Sequence, residues 1–218
     1  MLITISRQYG AGGSALASLV AATLGWRVVD NELVERVAAR AGLSPEDVAQ
    51  MEERVPTFIE RLARTVVAAT PELVVPPDAG GTASTLSEAD LVRLTERVVE
   101  EAAAEGSVVL VGRAAPVVLV RERDAIHVKV VAPREWRVRA VAARLGVSAE
   151  EAAKLTDETD KNRARYHRQY YQGDWTDPAN YHLVLNTAAL GLDGAAAVIV
   201  GRAKALGWGP GDAALSRS

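Results

Sequence analysis

The 218-residue chain contains no cysteine. That excludes disulfides, thiol nucleophiles and cysteine-held metals, and it fits a cytoplasmic protein. No apolar run reaches eighteen residues, so no membrane span is expected. The chain opens on a strand pattern rather than a basic segment followed by an apolar one, so no secretory leader is expected. Charge of one sign is not in excess: the net charge of −3 exerts no general pull on nucleic acid. The three histidines, His127, His167 and His182, have no metal-ligand spacing. No Ser-His-Asp arrangement stands out, and there are no internal repeats.

What is present is enough apolar residue, 49%, for a sizeable core. Five short Val- and Ile-rich runs read as buried strands: Leu2–Ser6, Arg27–Asp30, Val108–Val111, Ile126–Val131 and Tyr181–Leu185. Helical patterns separate them. This alternation predicts an α/β fold, a five-stranded parallel sheet with helices on both faces. Ser14–Leu24 and Asn31–Ala41 read as helices stopped by Gly25 and Gly42. Ser44-Pro45-Glu46-Asp47 is a helix start, and Ser148-Ala149-Glu150-Glu151 a capping box. Residues 149–171 form a long polar helical stretch, and Asp193–Leu206 an amphipathic last helix. Residues 44–105 are too long for one crossover and read as a mostly helical insertion in a single 1–218 domain. Their 71–85 stretch, rich in Pro and Gly, reads as a mobile loop.

The first strand runs into Gln8-Tyr9-Gly10-Ala11-Gly12-Gly13-Ser14. Such a strand, glycine-rich turn and helix start aim backbone N–H groups and a helix N-terminus at one point, which suits phosphate. The glycines alone would equally permit a tight turn. A phosphate loop ordinarily ends Gly-Lys-Ser/Thr; here Gly13 stands where the lysine would. Arg7, at the strand end, can replace that charge by bidentate phosphate contacts, or can pair with a carboxylate.

The order strand, glycine loop, helix, strand ending in Asp30, helical insertion, strand ending in Gly112-Arg113, then an arginine-rich segment resembles the nucleoside monophosphate kinases. The cytidylate kinase-like family is the best match. The resemblance rests on Ile5–Gly13, Val111-Gly112-Arg113, Val131-Ala132-Pro133-Arg134-Glu135-Trp136-Arg137, Asp157–Tyr166, Asp174-Trp175 and Tyr181–Thr187. It implies that Gly10, Ala11, Gly12, Gly13 and Ser14 hold ATP, with Ser14 facing Mg²⁺. It implies that the 44–105 insertion binds the acceptor and that 156–176 is a lid. Arg7, Arg137 and Arg163 would neutralise the transferring phosphoryl, with Asp160 orienting Arg163. Asp30, Arg113 and Lys161 would face the acceptor. Plainer roles exist for several of these. Asp30 suits a helix N-cap and Arg113 a surface cation. Arg134 and Arg139 suit a solvated face, the 157–171 segment an exposed ion-paired helix, and Asn186 a turn. Where family members carry acidic residues around Gly-Arg, this chain has Val111 and Ala114.

The function so implied is phosphoryl transfer from ATP·Mg²⁺ to a nucleoside monophosphate, CMP or dCMP by default. The alternative is a weak or inactive nucleotide-binding module with a lysine-less loop. The partners expected are nucleotides, with neither nucleic acid nor membrane. A nucleic-acid reading of the Arg- and Tyr-rich 161–171 segment is disfavoured by the acidic balance.

Overall fold

A computed structural model describes residues 1–44 and 88–209, the side chains of 31–34 excepted. The elements are β1 (Leu2–Arg7), α1 (Gly13–Leu24), β2 (Arg27–Val29), α2 (Asn31–Ala41), α3 (Glu88–Ala104), β3 (Val108–Val111), α4 (Ala115–Val118), β4 (Ala125–Val131), α5 (Arg134–Leu145), α6 (Ala149–Tyr171), β5 (Leu183–Asn186) and α7 (Thr187–Ala205). The strands form one sheet in the order β2-β3-β1-β4-β5, every pair parallel. The five-stranded parallel sheet predicted from the sequence is therefore present.

Two apolar layers hold it. Ile3 and Ile5 of β1, Val109 and Val111 of β3, and Val128 and Val130 of β4 point to one face, where Leu16 and Val20 of α1 and Ile199 of α7 cover them. Leu2, Val108 and Leu110 point to the other, against Val98, Val99 and Ala102 of α3. The alternation follows from the period of two along a strand. On the second face, however, β1 and β4 carry Thr4, Ser6, His127 and Lys129, all buried. This polar half-face has its own hydrogen bonds: Thr4 Oγ1 meets His127 Nδ1 at 2.8 Å, and the His127 N–H donates to His182 Nδ1 at 2.9 Å.

Local signals explain most boundaries. The capping box forms, with Glu151 N–H donating to Ser148 Oγ and Ser148 N–H to Glu151 Oε2. Gly25, Gly42 and Gly146 end their helices in the left-handed conformation. The last strand starts later than predicted, at Leu183, because a 3₁₀ turn, Pro178–Asn180, takes Tyr181 as its cap. α7 is broken at Gly191, whose φ of 67° and ψ of 173° are open only to glycine, and its regular part follows that break. The predicted helix start at Ser44 and the 71–85 loop fall largely or wholly outside the described residues. Of the predicted insertion, the described end is α3, which is part of the main core. Among the described residues, no helix is long and apolar enough to cross a membrane.

Candidate active site

The loop after β1 is clamped from both sides. Gln8 N–H donates to Val130 O, and Gln8 Oε1 accepts from Ala132 N–H at 3.1 Å. Ala11 is fully buried, its N–H donates to Gln8 O, and its carbonyl accepts from Thr187 Oγ1 at 2.8 Å. Ala11 thus braces the loop rather than presenting an N–H to a ligand. Gly12, at φ 80°, caps α1, and a Cβ there would stand 3.1 Å from Leu192 Cδ2. The first helical bond runs from Leu16 N–H to Gly12 O, so the N–H groups of Gly13, Ser14 and Ala15 precede the ladder at the helix end. No acidic residue in that first turn offsets the positive pole. A cleft of about 530 Å³ opens over Gly10, Gly12, Gly13 and Ser14, with Trp136 and Arg144 of α5 on its far wall.

Arg7 runs beneath this cleft. A Cβ on Gly13 would stand 2.6 Å from Arg7 Cβ, and a Cβ on Gly112 would stand 2.9 Å from Arg7 Cζ and collide with Nη1. The side chain therefore passes under the start of α1 and lies across the end of β3. Its Nη2 comes within 3.9 Å of Asp30 Oδ1 at the end of β2. Ser14 Oγ donates to the other carboxylate oxygen of Asp30 at 2.7 Å. Asp30 occupies the N-cap position of α2 but makes no side-chain cap bond. Ser14 and Asp30 form a pair of hard oxygen donors, a set that suits Mg²⁺ completed by phosphate oxygens. Among the described residues, no group of three or more His, Asp or Glu forms a metal cluster of its own.

The helix α6 supplies the third wall. Arg163 is buried, and its Nη1 donates to Arg7 O at 2.8 Å. Asp160, expected from the sequence to orient Arg163, accepts at Oδ2 from Arg137 Nη1 at 2.7 Å and at Oδ1 from the Tyr9 N–H at 2.8 Å. Arg137 also donates to Tyr9 O and to Ala132 O. Both residues thus bind the loop backbone. The Tyr9 ring carries Arg144 at 5.2 Å and Arg163 at 5.8 Å from its centre. The exposed-helix alternative fails for Arg163, Tyr166 and His167, all turned inward. Lys161 on the same helix is exposed. Arg134 pairs with Asp157 on the surface, as expected of a solvated face.

At the end of β3 the backbone is strained. Gly112, Arg113 and Ala114 have φ of 77°, 53° and 51°. Left-handed residues other than glycine cost about 1–2 kcal/mol each. Arg113 is buried by this turn rather than being a surface cation. Asn186 accepts from the Ala188 and Ala189 N–H groups and so fills the turn role considered for it.

Several residues near the site escaped the sequence reading. Trp136 and Arg144 line the cleft, yet read as ordinary helix. Trp175 donates Nε1 to Ser6 Oγ at 2.9 Å, and Lys129 Nζ donates to Trp175 O at 3.0 Å. The only available signal for Lys129 was a lone charge inside the apolar run Ile126–Val131.

The chain belongs to the cytidylate kinase-like family, whose sequence profile matches residues 2–189. The cytidylate kinase of Natronomonas pharaonis is 26% identical over 203 residues, covering 91% of this chain and 87% of that protein. That of Pyrococcus horikoshii is 28% identical over 201 residues, with 91% and 86% covered. The cytidylate kinase of Methanopyrus kandleri is 38% identical over 103 residues, and there the match spans about half of the relative, 52%, and 43% of this chain. Among solved structures, an uncharacterized protein from Eubacterium ventriosum superposes with a TM-score of 0.65 at 18% identity, covering 94% of this chain and 98% of that one. A shikimate kinase from Bacteroides thetaiotaomicron gives 0.51 at 14%, covering 94% and 97%. At these identities the likeness is one of fold.

Proposed function

We propose that this cytidylate kinase-like chain transfers the γ-phosphoryl group of ATP to a nucleoside monophosphate, with CMP or dCMP as first candidates. One observation carries the reading: Arg7 is laid between Gly13 and Gly112 and reaches the Ser14–Asp30 pair. A permanent cation thus sits where the donor loop meets the strand end that would face the acceptor. Arginine keeps its charge at any working pH and can grip two phosphate oxygens at once. Two glycines kept free of side chains around one arginine suit a loop whose cation comes from β1 instead of from position 13.

In this reading the Gly13, Ser14 and Ala15 N–H groups and the α1 dipole hold the β-phosphate. Ser14 and Asp30 would hold Mg²⁺, which would supply positive charge to offset that of the phosphates. Arg7 and Arg163 face the moving phosphoryl. Arg137 and Asp160 keep the loop in place by its Tyr9 backbone, a positioning role. Arg113, pinned by the left-handed turn, takes the acceptor phosphate. That acceptor is already an anion, so no general base is invoked.

The relatives named cytidylate kinase supply CMP as first candidate. The test is ADP formation from ATP and Mg²⁺ with each common nucleoside monophosphate. ADP with CMP or dCMP supports the reading; none above background with any acceptor removes it. A second reading is favoured by the Arg7–Asp30 ion pair, which already engages the metal's carboxylate. It holds that the chain binds nucleotide without turnover. Thermal stabilisation by ATP, about 2.7 kcal/mol at a hundredfold over Kd, without ADP formation would select it.

A further inference from the structure

Lys129 is a buried amine for which the loop chemistry above has no use. It stands opposite Ser6 in the β1–β4 ladder, one place before the pair Arg7–Val130. Its Nζ donates to the Trp175 carbonyl and lies 3.0 Å from the centre of the Trp175 ring, with the Tyr181 ring at 5.3 Å. The Tyr181 hydroxyl donates to the same carbonyl at 2.9 Å, while Trp175 holds Ser6. Lys129 is therefore the central post of a cluster that ties the segment after α6 to β1 and β4.

The charged groups facing it are Arg7 from β1, Asp160 and Arg163 from α6, and Asp174 from the turn beyond. His127 lies two places earlier on the same strand, and the His167 ring of α6 is 6.4 Å from that of Trp175. Burial pushes the Lys129 ammonium down to about 6; Arg163 and Arg7 push the same way, while Asp160 and Asp174 oppose them. Arg7 and Arg163 both line the phosphate cleft. Anionic charge delivered to that cleft offsets the two arginines and favours the ammonium form.

We infer that Lys129 is a positioning residue of the phosphate site: seated beneath the loop, it takes up a proton when polyphosphate enters the cleft, and so supplies at one remove the ammonium that position 13 lacks. It touches no ligand. Protonated, it strengthens its hold on the Trp175 ring, since that attraction requires the charge. The segment carrying Trp175 is then drawn onto Ser6, immediately before Arg7. This inference rests on the reading of the cleft as a nucleotide phosphate site.

The test is calorimetric titration of the full chain with Mg²⁺-saturated ADP at about pH 7.5, between the free-site value and that of an ordinary lysine. It is run in two buffers of different ionisation heat. The expected result is net proton uptake on binding, abolished in Lys129→Met and in Lys129→Arg, with the arginine variant still binding. Lys129→Met should fold, because it removes a buried polar group and leaves Tyr181 donating to the Trp175 carbonyl. The wild type adds an independent readout: ADP affinity falling as pH rises through neutrality, by up to about tenfold per unit. Binding without uptake, or uptake that persists in either variant, overturns the inference and leaves the kinase reading standing. Absence of any nucleotide binding overturns both.

Discussion

Arg7 and Gly112 claim the same space. Any side chain at 112 would begin where the Arg7 guanidinium lies. The left-handed φ of 77° at Gly112 independently demands glycine. This one contact joins the glycine-rich loop to the strand end that carries Arg113, and the arginine crosses β3 on its way from β1 to Asp30.

The cation's position is exchangeable in principle. Gly13→Lys alone drives a new side chain into Arg7 and should cost about 1–3 kcal/mol of stability as overpacking, together with activity. Arg7→Gly alone removes the charge, and with it the Cβ that a side chain at position 13 would meet. The double variant restores both room and cation, so its turnover should exceed that of either single change. A double-mutant cycle on kcat measures the coupling; additive losses would mean that positions 7 and 13 do not share one task.

Asp160→Asn breaks the ion pair with Arg137 and weakens the hold on the Tyr9 N–H. A hydrogen bond to a charged group is worth about 1.5–3 kcal/mol, and partial exposure puts this site toward the lower end. Urea denaturation should register that loss. Kinetics should show KM for ATP rising more than kcat falls, since Asp160 holds the loop and touches no phosphate.

Ala114 is held at φ 51° in the turn after Gly112. Ala114→Gly relieves that conformation and should stabilise the fold by about 1 kcal/mol, less what is lost with a buried methyl. The gain is read as a rise in Tm. A fall would mean that the strain relieved is smaller than the packing lost with the buried methyl.

His127 gives acid stability a definite sign. Burial, and then the charge of His182, push it from 6.5 down to about 4. Between those values the unfolded chain binds more protons than the native one. Its contribution is complete above pH 6.5 and is lost as pH falls toward 4. Stability from chemical denaturation should decline through that window, and His127→Gln, which keeps an acceptor for Thr4, should decline less steeply. An unchanged slope would place the acid sensitivity elsewhere.

The fold was legible because its signals are local. Val and Ile runs, glycine stops and the Ser148 capping box each act within a few residues of themselves. The loop was legible for the same reason: Gly10, Gly12 and Gly13 are needed within one turn of backbone. Partnerships across the chain were not. Asp160 bonds to Arg137 and to Tyr9, 23 and 151 residues away, because α6 packs along α5 and faces the loop. Lys129 and Trp175 are 46 residues apart and meet only once β4 and the segment after α6 converge. Tyr181 has strand-like neighbours, but the Pro178 turn claims it first.

The account stands on Arg7 doing the work of the absent loop lysine. The most direct measurement is kcat for Arg7→Ala beside its ATP affinity. Loss of a charge that acts on the transferring phosphoryl should lower kcat on the order of 10²–10³-fold, with the Kd for ATP changed far less. Full turnover in Arg7→Ala, or a loss confined to ATP binding, would contradict it.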